Sequence, residues 1–447
     1  CVLESLALHS IIQHYMANSS IKFRVSFIEP QAHYAEVDMQ IKGFQRDFVD
    51  IKLPVWTPGS YLIREYAKNI ERVAAKNESQ TFVVEKQNKN TWRVYNQQQD
   101  FSFCYSVYGF EVSVRTNFID ADHAFLSPAA TFMYVDGHLD HPSSVAIVLP
   151  EAWTRVSTGL AKSSAEPFSY EATNFDILYD SPIEIGNQDV WYFDAAGVKH
   201  EMAMVSGGNY NKEQLSADIS RIVEVETSIW GENPNDNYVF ITHNYHSGSG
   251  GLEHLNSTVL GATRNGYNQD SSYKNYLNLV AHEYFHLWNV KRLRPQALGP
   301  FDYEQENYTT SLWIMEGFTA YYDNLIMRRC GFRDEREYLQ LLALEFNSVY
   351  NRAGYVIQPV AQASFDAWIK HYRPDENSAN TSISYYSKGA MLASAIDIKI
   401  IAATEGAMRL DDIIRVAYEK FYKAEDRGFL EPEFLALAEK HTGVDLS

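Results

Sequence analysis

The stretch NLVAHEYFHLWNV, residues 278–290, places two histidines and a glutamate in an otherwise apolar and aromatic run. Val280, Phe285 and Leu287 mark this segment as a buried helix. Burying a carboxylate without a partner costs several kcal/mol, so the fold must supply a group that compensates it. The chain can therefore fold around this helix only where a cation or a polar network meets the three side chains.

A divalent metal ion is the compensation that the spacing predicts. Residues four apart lie on one face of an α-helix, so His282 and His286 can share an ion through their imidazole nitrogens. Glu283 points about 100° away and can reach a water at that ion as a general base. The alternative is two core histidines bonded to backbone or water beside a buried glutamate, which the apolar surroundings disfavour. An open site with such ligands favours one Zn²⁺ ion.

A third protein ligand must come from another segment, because a catalytic zinc ion usually takes three and keeps one position open. Glu306 follows His286 at the spacing found in thermolysin, but it lies in a polar stretch that indicates a loop. Glu316 shares a helical face with Leu312 and Ala320, and a carboxylate on such a buried face needs a partner. Glu316 is therefore the predicted ligand, and Glu306 is the alternative.

Charge and cysteine content limit the partners. The chain has 38 Lys and Arg against 57 Asp and Glu, a net charge of −19 that disfavours nucleic acid and anionic membranes. No apolar run reaches the roughly 18 residues of a membrane span, and residues 1–15 lack the features of a signal peptide, so we expect a cytoplasmic protein. Cys1, Cys104 and Cys330 lie far apart, which argues against a disulfide framework or a cysteine zinc site.

The chain of 447 residues is long enough for more than one domain. Runs such as Ile21–Phe27 and Phe101–Val114 alternate apolar and polar residues, which predicts an antiparallel β-domain over residues 16–206 after an extension at 1–15. Helical periodicity dominates later, so residues 207–447 form the predicted catalytic domain, with an α/β part to about residue 295. The expected fold class is α+β with two main domains.

Four motifs, in this order, resemble the glycyl aminopeptidase family, which is related to the aminopeptidase N and thermolysin-like clan. They are LPVWTPGSYLIREYAKNI (53–70), GGLEHLNS (250–257), HEYFHLWNVKRLRP (282–295) and LWIMEGFTAYY (312–322). The resemblance spans nearly the whole chain and implies a thermolysin-like, mainly helical catalytic domain. It also implies zinc bound by His282, His286 and Glu316, with Glu283 as the base. Family members typically continue into a PDZ domain, and whether one belongs to this protein is open.

The same resemblance implies a site for the substrate amine. GGLEH occupies the place of the GxMEN motif of the aminopeptidase N group, so Glu253 matches the glutamate that binds a free α-amino group. Gly250 and Gly251 provide the neighbouring substrate-binding backbone. A carboxylate on a glycine-rich strand end can approach an ammonium group closely and form a charge-assisted hydrogen bond. This chain departs from GxMEN with Leu252 and His254.

SYYSKGAML, residues 384–392, resembles the YxKG stretch of the aminopeptidase N group. Tyr386 takes the place of the tyrosine that donates to the oxyanion, and Tyr385 is the alternative. Asp323 lies two helical turns beyond Glu316 and is a candidate acceptor for a zinc-bound histidine, or an ordinary surface acid. Two roles are open for Arg292 and Arg294: they can bind a substrate carboxylate, or they can form solvated ion pairs.

The resemblance implies a zinc-dependent aminopeptidase that hydrolyses the N-terminal peptide bond with zinc-activated water and a glutamate base. Peptides with a free N-terminus are the expected substrates, with a preference for small residues such as Gly or Ala. The alternatives are a zinc endopeptidase of the same fold and an inactive scaffold that binds peptides. The physiological substrate and the oligomeric state are open.

Overall fold

A computed structural model describes residues 19–446. The predicted extension at residues 1–15 and Cys1 lie outside the described residues. The chain divides into two compact units. The first contains the described residues up to Gln188 together with Tyr303–Gln305, and the second contains Asp189–Asp302 and the residues from Glu306 onwards.

The first unit is built almost entirely of β-strands, which confirms the predicted β-domain fold. Its strands are β1 Ser20–Ser26, β2 Tyr34–Lys42, β3 Val49–Lys52, β4 Ile70–Lys76, β5 Thr81–Phe82, β6 Val84–Asn88, β7 Thr91–Val94, β8 Phe101–Tyr108, β9 Phe118–Ile119, β10 Ala124–Leu126, β11 Tyr134–Val135, β12 Ser143–Val148, β13 Arg155–Thr158, β14 Ala161–Lys162, β15 Ser169–Ala172 and β16 Ile183–Gly186. One short helix, α1 Phe175–Tyr179, precedes the last strand.

An eight-stranded sheet is the largest layer of this unit, in the order β14-β15-β12-β1-β2-β8-β4-β5. Every neighbouring pair is antiparallel except β1 and β12, which run parallel. In β1 the side chains of Ile21, Phe23 and Val25 are buried and alternate with more exposed ones, as the sequence pattern predicts. Two four-stranded sheets, β13-β16-β10-β9 and β11-β3-β7-β6, complete the unit.

The second unit begins with a five-stranded mixed sheet in the order β17-β18-β19-β21-β20. Its strands are β17 Asp189–Ala195, β18 Val198–Val205, β19 Asn237–Tyr245, β20 Gly250–Glu253 and β21 Ser257–Thr263. The first two strands fall within residues 16–206, the range predicted for the β-domain, yet β18 pairs in parallel with β19. Alternation predicts that a segment is a strand but contains no information on which sheet it joins.

Helices make up most of the rest of the second unit, in agreement with the predicted helical C-terminal part. They are α2 Lys212–Trp230, α3 Asp270–Phe285, α4 Phe318–Arg329, α5 Glu335–Tyr350, α6 Val360–Phe365, α7 Ser378–Thr381, α8 Tyr385–Ala403, α9 Leu410–Ala417 and α10 Glu431–Thr442. Two π-helical segments, Trp313–Gly317 and Tyr418–Ala424, extend α4 and α9. Within residues 19–446 no helix is both long and apolar enough to cross a membrane.

Candidate active site

The end of α3 carries the two histidines and the glutamate of the HExxH motif. His282 and Glu283 lie in its last turn, and His286 is the residue that caps it, with helical dihedral angles. Glu283 and His286 are buried, with 5% and 1% of their surface exposed. The local sequence places all three side chains on the helix end, where the chain leaves the helix and other segments can approach them.

Three donor atoms converge beside this helix end. Nε2 of His282 lies 3.2 Å from Nε2 of His286. Oε2 of Glu316 lies 3.5 Å from the first nitrogen and 3.1 Å from the second. The edges of a tetrahedron around zinc, with ligand bonds of about 2.0–2.2 Å, measure about 3.3–3.6 Å. The donor set therefore fits three ligands of one tetrahedral zinc ion.

Glu306, the alternative ligand, is not part of this group. Two groups of three histidine and carboxylate residues have ligand atoms within 4.8 Å of one another among residues 19–446, and Glu306 belongs to neither. The first is the His282, His286 and Glu316 group, and the second joins Glu253, Glu283 and His286. His286 is common to both clusters, so the carboxylates of Glu253 and Glu283 lie beside the candidate metal position.

Glu316 lies in the π-helical segment Trp313–Gly317 rather than in a regular α-helix. Such segments are rare and occur frequently at functional sites. Gly317 directly follows Glu316 and lies against Gly389 of α8, where an added Cβ on Gly317 would meet the Cα of Gly389 at 2.5 Å. These two glycines let the backbone of α8 approach the segment that carries Glu316.

Each histidine has an acceptor for its second ring nitrogen. Nδ1 of His282 lies 3.1 Å from Oδ2 of Asp323, and Nδ1 of His286 lies 2.8 Å from the carbonyl oxygen of Asn289. With Nδ1–H donating to these acceptors, each Nε2 keeps a lone pair for a metal ion. Asp323, left open in the sequence analysis, is therefore a partner of His282.

Asn289 is a residue that sequence reasoning missed. Its side-chain amide donates to the carbonyl oxygens of Ile314 and Met315, at 3.1 Å and 2.9 Å. It thus joins the end of α3 to the segment that carries Glu316. The only sequence signal was a buried polar residue three positions after His286, and periodicity gives no reason to single it out.

The charges of the site shift the pKa values of the two glutamates in opposite directions. Burial opposes the ionisation of Glu316, but His286 and His282 outweigh it and hold its pKa well below the usual range. Burial raises the pKa of Glu283 to about 7, where the nearby His282 opposes the rise and Glu253 adds to it. An ionised Glu316 suits a cation ligand, and a carboxylate with a pKa near neutrality suits a general base.

Glu253 ends β20, which is the last strand of its sheet and pairs antiparallel with β21. Its side chain is buried, with 4% exposed. Gly251 in the same strand lies against Glu283, where an added Cβ would overlap the Glu283 carboxylate. Gly250 has a φ of +126°, a conformation that favours glycine. Both glycines of the motif therefore have a structural reason for their identity.

Arg292, one of the two arginines left open, forms internal contacts. It is buried, with 6% exposed. Its guanidinium donates to the carbonyl oxygens of Leu287 at 2.7 Å and Leu255 at 3.2 Å. It therefore joins the end of the HExxH helix to the chain that follows Glu253. Arg294 lies with its guanidinium 6.0 Å from the ring centroid of Phe301.

Tyr386 lies in the first turn of α8, whose capping residue Ser384 accepts a hydrogen bond from the Ser387 amide. Its ring centroid is 6.3 Å from that of His282, at an interplanar angle of 24°. Burial raises the pKa of Tyr386 well above its ordinary value, so the side chain stays a neutral O–H donor. Tyr385 is completely buried, which makes it the weaker candidate for contact with a substrate.

The comparisons with known proteins agree with this fold. The sequence model of the Peptidase M61 N-terminal domain matches residues 22–187, and that of the M61 glycyl aminopeptidase matches residues 275–392. A crystal structure of an aminopeptidase N family protein from Idiomarina loihiensis has 32% identity and a TM-score of 0.92, covering 95% of this chain and 74% of that chain. No curated protein sequence matched.

More distant structures share the fold. A mutant M1 zinc metallopeptidase from Deinococcus radiodurans, bound to a Tyr-Ser-Ala substrate, has 14% identity and a TM-score of 0.58 over 96% of this chain and 91% of that chain. Native yeast LTA4 hydrolase has 14% identity and a TM-score of 0.53 over 95% of this chain and 65% of that chain.

The β-domain, the mainly helical second unit and the HExxH site together define a metalloaminopeptidase. The chain belongs to the M61 glycyl aminopeptidase family.

Proposed function

We propose that this protein is a zinc-dependent aminopeptidase that removes the first residue of peptides with a free N-terminus. One zinc ion is held by His282, His286 and Glu316. The observation that carries the proposal is the convergence of their donor atoms, at 3.1–3.5 Å from one another, beside the buried carboxylates of Glu253 and Glu283. Held there, a zinc ion would supply a bound water of lowered pKa and a Lewis acid for the scissile carbonyl.

Glu283 is the general base in this proposal. It takes a proton from the attacking water and delivers it to the leaving nitrogen, which converts that nitrogen into an amine. Its buried carboxyl, with a pKa of about 7, can both accept and return a proton near neutral pH. Gly251 supports this role because it leaves room for the carboxylate against β20.

Glu253 is the group that selects a free amino terminus. Its carboxylate lies within 4.8 Å of the Glu283 carboxylate and of the His286 ring, close enough to hold an ammonium group beside the candidate metal ligands. A buried carboxylate binds an ammonium group by charge-assisted hydrogen bonds and loses that energy with a blocked terminus. This spacing supports an exopeptidase over an endopeptidase.

Tyr386 donates a hydrogen bond to the oxygen on which negative charge develops during attack. A single donor of this kind is worth about 2.7–4 kcal/mol in the transition state. The variant Tyr386→Phe therefore loses about 10²–10³-fold in kcat, while Tyr385→Phe, altered at a completely buried ring, serves as the matched control.

A preference for small N-terminal residues, glycine above all, follows from membership of the family rather than from a pocket. The test is hydrolysis of glycyl-, alanyl- and leucyl-p-nitroanilide beside an N-acetylated peptide, with and without a chelator. We expect chelator-sensitive release that is fastest with glycine or alanine, and no cleavage of the blocked peptide. Cleavage of the acetylated peptide would replace the proposal with a zinc endopeptidase. Fastest release of leucine would refute the size preference alone.

The variant Glu253→Ala tests the amine site separately. It is expected to weaken binding of the free-amine substrates while the zinc content stays unchanged. If the variant kept the wild-type preference for free over acetylated substrates, Glu253 would not be the amine ligand.

A further inference from the structure

The loop between α6 and α7 brings one exposed histidine, His371, against the tyrosine pair at the start of α8. The His371 ring centroid lies 4.9 Å from that of Tyr385 and 5.6 Å from that of Tyr386. The planes of the His371 and Tyr386 rings differ by 29°, a stacked arrangement. This histidine lies in a polar loop without a motif, so no sequence pattern distinguishes it.

The hydroxyl of Tyr386 does not fix its own ring. No hydrogen bond of this hydroxyl to another group occurs among residues 19–446. The ring must therefore be held by packing. Its aromatic neighbours are His282 at 6.3 Å, Tyr385 at 4.7 Å and His371 at 5.6 Å between centroids.

These three neighbours differ in how they are held. His282 is bonded to Asp323 and belongs to the candidate metal site, and Tyr385 is completely buried. His371 is exposed and lies on a loop, so it can be altered without opening the core. The contribution of His371 to holding the Tyr386 ring in position can therefore be measured separately from that of the other two neighbours.

The lowered pKa of His371 favours its neutral form. Desolvation against the tyrosines lowers its pKa, which Arg352 lowers further and Glu316 opposes. A neutral imidazole can stack on the phenol without placing a second cation beside the zinc position.

We propose that His371 is a positioning residue: its ring stacks on Tyr386 and holds the phenol at the angle from which its hydroxyl donates to the reacting carbonyl oxygen. This inference rests on the oxyanion role proposed for Tyr386. An aromatic contact of this kind is expected to change the rate by about 3- to 10-fold. The effect appears in kcat, because the hydrogen bond forms mainly in the transition state.

The experiment is a double-mutant cycle on glycyl-p-nitroanilide hydrolysis with the zinc-loaded protein. His371→Ala is expected to lower kcat by about 3- to 10-fold with KM and zinc content unchanged, and His371→Phe to restore kcat to within about twofold. In a Tyr386→Phe background, His371→Ala is expected to cost nothing more, because the hydroxyl it positions is gone. His441→Ala, at an exposed histidine on α10, is the matched control.

The outcomes distinguish the oxyanion role of Tyr386 from the positioning role of His371. If Tyr386→Phe kept the wild-type kcat, the role of Tyr386 itself would be wrong and the inference would fall with it. Tyr386→Phe could instead be slow, and adding His371→Ala to it could lower kcat by the same factor as in the wild type. In that case His371 would act independently of the Tyr386 hydroxyl, and the positioning role would be wrong. A loss in His371→Ala that His371→Phe does not restore would also overturn the stacking role.

Discussion

Gly251 lies directly against the carboxylate of Glu283, so that the strand carrying Glu253 and the helix carrying the proposed base meet without an intervening side chain. An alanine at position 251 would place its Cβ on the Glu283 carboxyl group. A side chain at position 251 would therefore require the Glu283 carboxylate to move from its position beside the strand.

Gly251→Ala is expected to lower kcat/KM by at least about 100-fold, since a displacement of about 1 Å in a catalytic group has an effect of that size. Zinc content stays at the wild-type level, because none of the three proposed ligands moves. Steady-state kinetics with metal analysis measure both quantities. In a Glu283→Ala background the same change is expected to have little further effect, and a full second loss would show that the contact is not with the base.

Glu283→Gln is expected to keep zinc and lose about 10²–10⁴-fold in kcat. The amide has nearly the same size as the carboxyl group but cannot accept the proton of the attacking water. Metal analysis and the rate of glycyl-p-nitroanilide hydrolysis check the two halves of the prediction. Wild-type activity in this variant would rule out Glu283 as the base.

Glu316→Ala is expected to reduce bound zinc to a small fraction of the wild-type content. Two histidines alone leave the ion without the third ligand that catalytic zinc sites usually have. Glu306→Ala is the control, because Glu306 is outside both candidate ion clusters of the described chain. Equilibrium dialysis followed by metal analysis measures the effect, and a loss of zinc in the Glu306 variant alone would transfer the ligand role to that residue.

Glu226 gives a prediction about stability rather than activity. It lies on α2, is completely buried, and neither carboxyl oxygen has a hydrogen-bond partner among residues 19–446. Burial raises its pKa well above the ordinary value, where His282 opposes the rise and Asp323 adds to it. The folded chain therefore binds a proton here that the unfolded chain releases above pH of about 4.3.

Because the unfolded state binds fewer protons, this group makes the free energy of unfolding fall as pH rises above that value. Glu226→Gln removes the dependence, so the stability of the variant relative to wild type is expected to increase steadily between pH 5 and pH 8, by at most about 1.4 kcal/mol per pH unit. Denaturant unfolding at several pH values measures the difference. Glu213→Gln, at an exposed position on the same helix, is the control, and a constant difference for Glu226→Gln would contradict the raised pKa.

The sequence was sufficient for the features that local periodicity determines. Spacing of four residues puts His282 and His286 on one helix face. The argument from buried carboxylates favoured Glu316 over Glu306, and among the described residues Glu316 is the one that lies beside the two histidines. That Glu316 binds the metal stays a prediction. The family resemblance and the fold class it implied are confirmed by the comparisons. In each case the deciding information lies within a few residues of the chain or within a motif.

What the sequence did not show depends on contacts between distant segments. The π-helical segment around Glu316 and the approach of Gly317 to Gly389 arise where α8 crosses it, which no single helical pattern contains. Of the two hydrogen-bond acceptors for the histidines, the sequence indicated one and not the other. Asp323 was recognisable by its spacing from Glu316, whereas the other acceptor is the backbone carbonyl of Asn289, a group that every residue possesses.

The central claim is that one zinc ion and Glu253 together define the cleaved bond. Its most direct test is a crystal structure of zinc-loaded Glu283→Gln with a glycyl tripeptide, with anomalous scattering recorded at the zinc edge. We predict one zinc peak bonded to His282, His286 and Glu316, and the peptide amine within about 3 Å of the Glu253 carboxylate. A zinc peak on Glu306 or on Glu253, or a peptide whose amine lies away from Glu253, would contradict the account.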